Sequence, residues 1–160
     1  MTWSRRAPGG SPRVATGSSP RSVPGIEIDH KSIITSDEAI QLKDIPKSMV
    51  IMGSGAVGVE FASIFRRFGS EVTIIELMPK LVPAEDEAVS TELERTFKKR
   101  GIKALTGHKV ESVEATATGV KVVVSAGNMT KPDVAAPETA VVALQITQQL
   151  LAARSASAAL

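Results

Sequence analysis

The segment SMVIMGSGAVGVEFASIFRRFGSEVTIIE, residues 48 to 76, leaves this chain few folds to choose from. It opens with the apolar run SMVIM, the pattern of a parallel strand buried on both faces. Three glycines follow at GxGxxG spacing, Gly53, Gly55 and Gly58, and behind them apolar residues recur at helical intervals. Val57, Phe61, Ile64, Phe65 and Phe68 make one stripe, Arg66 and Arg67 point away from it, and Gly69 supplies a left-handed stop. EVTIIE is short and β-branched, so it reads as a second strand that closes with a carboxylate at Glu76. Strand, glycine turn, helix and strand in this order form a βαβ unit, which belongs in a parallel sheet.

The spacing assigns each glycine a role. Gly53 permits the tight turn, Gly55 has no Cβ to hold a pyrophosphate off the backbone, and Gly58 lets helix and strand approach closely. An anion would rest on the free N–H groups at the positive end of the helix. Glu76, about twenty residues further on, is placed to accept hydrogen bonds from the hydroxyls of an adenosine ribose. A 2′-phosphate there would meet a like charge, which favours NAD over NADP. A glycine triplet alone also marks non-binding turns, and a lone acid after a strand is usually a solvated charge. Here strand, helix and acid fall in the order that dinucleotide binding requires, although the residues alone do not separate NAD from FAD.

The flanking sequence continues the same architecture. In ITSDEAIQL, Thr35 and Glu38 stand three apart as a capping box, predicting a short helix near 36 to 42. Glu85, Asp86 and Glu87 crowd the start of a further helix, Lys98, Lys99 and Arg100 its end, and Gly101 stops it. Val89, Leu93 and Phe97 are its expected buried stripe, and IKALT beyond is a third strand. HKVESVEATATGVKVVVSAG holds two β-branched runs joined near Gly119, an antiparallel hairpin. Pro137 and the alanine-rich residues after it predict a helix over 138 to 154. Residues 1 to 25 carry four arginines, no acid and many Gly, Pro and Ser, a composition unsuited to a core element.

Composition removes several functions. A net charge of +2 and 3% aromatic residues argue against nucleic-acid binding, and no apolar run is long enough to cross a bilayer. With no cysteine, the chain offers no disulfide, thiolate nucleophile or cysteine-ligated metal. His30 and His108 lie far apart in sequence and are expected on surface loops, so no metal site and no catalytic residue is assigned.

From about Val14 to Val124 the chain resembles the dihydrolipoamide dehydrogenases of the pyridine nucleotide-disulfide oxidoreductase family. VATGSSPRSVPG is similar to the family's ATG segment, and ITSDEAIQL, GSGAVGVEFASIFRRFGSEVTIIE and LVPAEDEAVSTELERTFKKRGIKALTG follow in the family's order. The resemblance implies an α/β fold, a Rossmann-like parallel sheet with an antiparallel β-meander inserted as its last crossover. The expected organisation is a flavin-domain remnant or disordered segment over 1–25, an NAD-binding domain over 26–125 and a divergent tail over 126–160. Nothing after Ser125 resembles the family's final parallel strand, so the sheet is expected to be incomplete at its carboxy-terminal end, with an unpaired edge.

By the same resemblance Gly53, Gly55, Ala56, Val57 and Gly58 belong to the NAD-binding turn, Glu76 to the ribose and Val110 to the adenine. Glu60 matches a glutamate near the nicotinamide, and an acid in a helix's first turn is also favourable on dipole grounds alone. Thr16 and Gly17 match backbone contacts to FAD. The complete family enzyme oxidises dihydrolipoamide through a redox disulfide, FAD and NAD, as a homodimer that meets lipoyl domains of 2-oxoacid dehydrogenase complexes. This chain lacks the cysteine pair, most of the FAD site and the catalytic His and Glu. It is expected to bind NAD(H) without turning over alone, in a cytoplasm or, second, an organelle matrix. The alternatives are a non-catalytic NAD-binding or interaction module, a non-functional gene fragment and, last, a stand-alone dehydrogenase.

Overall fold

The computed structural model describes residue 20 and residues 23–126, 129–136 and 140–144, the last two segments by their backbone. Five strands form a parallel sheet in the order β1-β8-β2-β3-β4: β1 (Ile33–Thr35), β8 (Ala140–Leu144), β2 (Ser48–Met52), β3 (Glu71–Glu76) and β4 (Lys103–Thr106). Three more, β5 (His108–Thr116), β6 (Gly119–Ala126) and β7 (Met129–Ala136), form an antiparallel sheet. The helices are α1 (Ser36–Ala39), α2 (Ala56–Arg67) and α3 (Glu87–Lys99).

Alternation along the central strands builds two cores. Met49 and Ile51 of β2, with Val72 and Ile74 of β3, pack against Ala62 and Phe65 of α2 and Phe97 of α3. Val50 and Met52, with Ile75, turn to the opposite face and meet Val113, Val120, Val122 and Val124 of the antiparallel sheet. Every residue of β2 is buried, as its unbroken apolar run predicts. The antiparallel sheet thus covers the face that a crossover helix would otherwise cover, and it forms the connection from β4 to β8.

Several local expectations are corrected. The inward face of α2 is Gly58, Ala62 and Phe65, whereas Ile64 and Phe68 are 45% and 60% exposed. The small residues Gly58 and Ala62 let the helix lie close to the sheet, which rotates the large apolar stripe to the flank. Arg66 does not point away: its guanidinium donates to the carbonyls of Arg100, at 2.8 Å, and Ser70, at 3.2 Å, tying α2 to the end of α3. On α3, Phe97 is buried and Leu93 half-buried as expected, but Val89 is 53% exposed and Ser90 takes the buried place.

The tail differs most. Residues 140 to 144 form strand β8, not the start of a helix, and β8 lies between β1 and β2 with Val142 beside both Ile33 and Val50. The place of the final parallel strand is therefore filled, and β2 has partners on both sides. A slot with open hydrogen bonds on both sides outweighs the helix preference of alanine, and Val141 and Val142 suit a strand. The rest of the expected helix lies outside the described residues. The expected hairpin also gains a third strand, β7, whose Pro132 falls where pairing with β6 shifts register; an edge strand tolerates proline there.

A Cβ on Gly58 would lie 2.2 Å from the carbonyl oxygen of Gly53 and 3.5 Å from Ile51 Cγ2, so the helix must move to admit it. Gly58→Ala should lower the unfolding free energy in urea by about 2 kcal/mol, although alanine is the better helix former. An unchanged or raised midpoint would mean that the close approach is absent.

The capping box forms as predicted, with Thr35 N donating to Glu38 Oε2 at 2.8 Å, while His30 Nδ1 lies 2.7 Å from Glu38 Oε1. The Thr35 hydroxyl, its amide and His30 hold the Glu38 carboxyl down at about 2, against an ordinary value of 4.5. Because the folded value is the lower one, its stabilisation is complete above about 4.5 and disappears as pH falls towards about 2. Glu38→Gln should flatten the acid limb of stability against pH in that window; superimposable limbs would contradict this.

Candidate functional site

The register Met52↔Ile75 between β2 and β3 places the residues after β2 beside Glu76. Gly53 makes the turn with φ 93°, a left-handed conformation that glycine adopts at low cost, and its N–H donates to the Ile75 carbonyl at 2.8 Å. Gly58 is required by the contact with Gly53 described above. Gly55 is different. It is the N-cap of α2 with φ −66° and ψ 179°, extended backbone that any residue can adopt. No side chain caps α2 and no acid stands in its first turn, so the positive helix end is left to other acceptors. The local backbone conformation does not demand glycine at 55.

Glu76 is not a solvated charge, being only 7% exposed. Its Oε2 accepts from Ser54 N at 2.7 Å and from Ser54 Oγ at 2.8 Å, and its Oε1 accepts from Met78 N at 2.8 Å. A carboxylate offers about four acceptor positions, so these bonds leave room for a further donor while fixing the group's orientation. The expected role of Glu76 toward a ribose is thus joined by a second one, closing the glycine turn.

Ser54 is fully buried, and both its hydroxyl and its carbonyl accept from Val82 N, at 3.2 Å and 3.0 Å. Val82 has φ 42°, rare for a β-branched residue, and Leu81 beside it is fully buried with its N–H donating to Glu94 Oε1 at 3.0 Å. The connection after β3 is thereby held against the glycine turn. Gly107 N donates to the Met78 carbonyl at 2.9 Å, bringing the β4–β5 junction to the same end of the sheet. Sequence reasoning missed Ser54 and Val82. The signal for Ser54 was a short hydroxyl side chain between two glycines.

The other expected residues divide. Ala56 is exposed and Val57 half-buried in the first turn of α2. Glu60 is exposed in the second turn, so the first-turn dipole argument does not apply to it. Val110, half-buried on β5, packs against the core shared by β2 and the antiparallel sheet. Thr16 and Gly17 lie outside the described residues. His30 is exposed, but His108 begins β5 with Nδ1 2.7 Å from the Thr106 carbonyl oxygen, which corrects its placement on a loop. Among the described residues no three His, Cys, Asp or Glu side chains could hold a metal ion, and no helix is long and apolar enough to cross a membrane.

This arrangement has counterparts in known proteins. Residues 14–146 match the family model described as pyridine nucleotide-disulphide oxidoreductase. The chain is 52% identical over 107 residues to a dihydrolipoyl dehydrogenase of Chlorobaculum tepidum, a match covering 67% of this chain and 23% of that protein. It is 48% identical over 97 residues to a dihydrolipoyl dehydrogenase of Bacillus subtilis, covering 61% of this chain and 20% of the relative. The chain therefore spans less than a quarter of the length of these relatives. Among solved structures it is similar to LpdA from Mycobacterium tuberculosis, with a TM-score of 0.66, 29% identity, and coverage of 79% of this chain and 27% of that one. The HOCl-induced flavoprotein disulfide reductase RclA from Escherichia coli gives a TM-score of 0.64 at 26% identity, covering 80% and 28%. A glycine turn closed by a buried acid, on a parallel sheet crossed by an antiparallel meander, agrees with these matches: the chain belongs to the pyridine nucleotide-disulphide oxidoreductase family.

Proposed function

We propose that this chain is the NAD-binding portion of a dihydrolipoamide dehydrogenase. The observation that carries the reading is Gly55, a glycine that the local backbone does not require, at the uncapped end of α2 and two residues from a turn held by Glu76. The pyrophosphate would rest on the first N–H groups of α2, in the space that a side chain at 55 would fill. Glu76 would accept from the adenosine ribose with its remaining capacity, and its charge would repel a 2′-phosphate, so NAD is preferred to NADP. Val110 and Glu60 are assigned to the adenine and nicotinamide ends by family resemblance, and Thr16 and Gly17 to FAD. When bound, NAD supplies hydride transfer, and the protein's part here is to hold and orient it. With no cysteine, this chain contributes no redox disulfide; FAD, the dimer partner and lipoyl domains belong to the complete enzyme.

Calorimetric titration of the folded chain with NADH should show one site, with NADPH weaker by roughly a hundredfold owing to the like charge at Glu76. Gly55→Asp, whose carboxylate would occupy the pyrophosphate position, should bind neither while keeping its circular dichroism. Folded protein that gives no heat with NADH, or a Gly55→Asp variant that binds as the parent does, would overturn the reading.

A further inference from the structure

We infer that the Ser54 hydroxyl is a positioning and specificity-determining group for the adenosine end of the dinucleotide, an assignment that rests on the nucleotide-binding reading above. Three donors fix the Glu76 carboxylate. Two of them, Ser54 N and Met78 N, are backbone groups that the fold supplies whatever the side chains are. The third, Ser54 Oγ at 2.8 Å, is a side chain, fully buried and lying between two glycines. The two backbone donors hold one oxygen each, and the hydroxyl adds a second donor to Oε2, which narrows the rotation left about the last side-chain torsion.

The same oxygen works in two directions. Its hydrogen goes to Glu76 Oε2, and a lone pair receives Val82 N at 3.2 Å. Ser54 thereby joins the ribose-binding acid to the connection after β3, at the residue whose positive φ marks a held conformation. Alanine at 54 would keep the turn, because Ser54 N still reaches Glu76 and the residue's carbonyl still accepts Val82 N at 3.0 Å. It would loosen the direction of the charge, which two backbone donors alone would then hold. Glu76 could then turn from a 2′-phosphate, and a ribose diol would meet a less ordered acceptor.

The test compares NADH and NADPH dissociation constants for the parent and Ser54→Ala, each first confirmed as folded by circular dichroism. NADH should weaken about tenfold, the loss of one hydrogen bond to a charged group, while NADPH changes little, so the preference narrows. In a Glu76→Gln background, Ser54→Ala should leave the ratio unchanged, because the charge it orients is gone. Should Ser54→Ala fail to fold, Ser54→Cys, of similar shape but a poor donor, carries the same comparison with the same expectation. A merely structural role would lower the unfolding midpoint and weaken both dinucleotides equally. An unchanged ratio in a parent that binds NADH overturns this inference alone; a folded parent that binds no NADH overturns it together with the nucleotide-binding reading.

Discussion

The structure depends on one buried carboxylate. Glu76 ends β3 directly beside the turn that ends β2, and it accepts from Ser54 before α2 and from Met78 after β3. A buried carboxylate costs free energy unless its oxygens are hydrogen-bonded, and here each oxygen has a donor. The strand, the glycine turn and the start of the following connection are therefore defined relative to one group. On the proposed reading the same group also accepts from a ribose, so the element that orders the turn would also select the ligand.

Around this point the glycines divide their tasks. Gly53 answers to backbone conformation and Gly58 to the closeness of α2 and β2, while the backbone angles of Gly55 suit any residue. Two of the three would be needed in a βαβ turn that bound nothing. The middle one is the glycine that backbone angles leave unexplained, so spacing read together with backbone angles is a stronger signal than spacing by itself. The sheet then supplies rigidity: β2 is covered by α2 on one face and by the antiparallel sheet on the other, and paired on both edges.

Much of this was legible in the sequence where local pattern and tertiary demand agree. SMVIM, EVTIIE and IKALT read as strands and are strands; in SMVIM the continuous apolar run matches a strand buried along its whole length, while β4 sits partly exposed at the sheet edge. The Thr35–Glu38 box was legible because its chemistry is entirely local. The failures came where distant residues decide. Periodicity found the large apolar residues of α2 but not its inward face, because Gly58 and Ala62 are silent in an apolar count. Alanine-rich 140–144 read as helix, and only the empty place between β1 and β2 makes it a strand. β7 has no strong local strand pattern, and its Pro132 is tolerated because it falls at a register shift on an edge strand. In the site, Gly53, Gly55, Gly58 and Glu76 were readable by spacing, whereas the Ser54 bonds to Glu76 and Val82 span 22 and 28 residues and have no sequence signature.

The central claim is that the glycine turn is preformed and held by Glu76 without a ligand. Native-state hydrogen exchange on the free chain tests it most directly. The amides of Ser54, Met78 and Val82 should exchange as slowly as those of Val50 and Ile74 in the central strands, and the Ser54 amide should lose that protection in Glu76→Ala while Val50 and Ile74 keep theirs. Fast exchange at Ser54 in a chain whose central strands are protected would show that the turn is not held by the carboxylate, and would contradict the account.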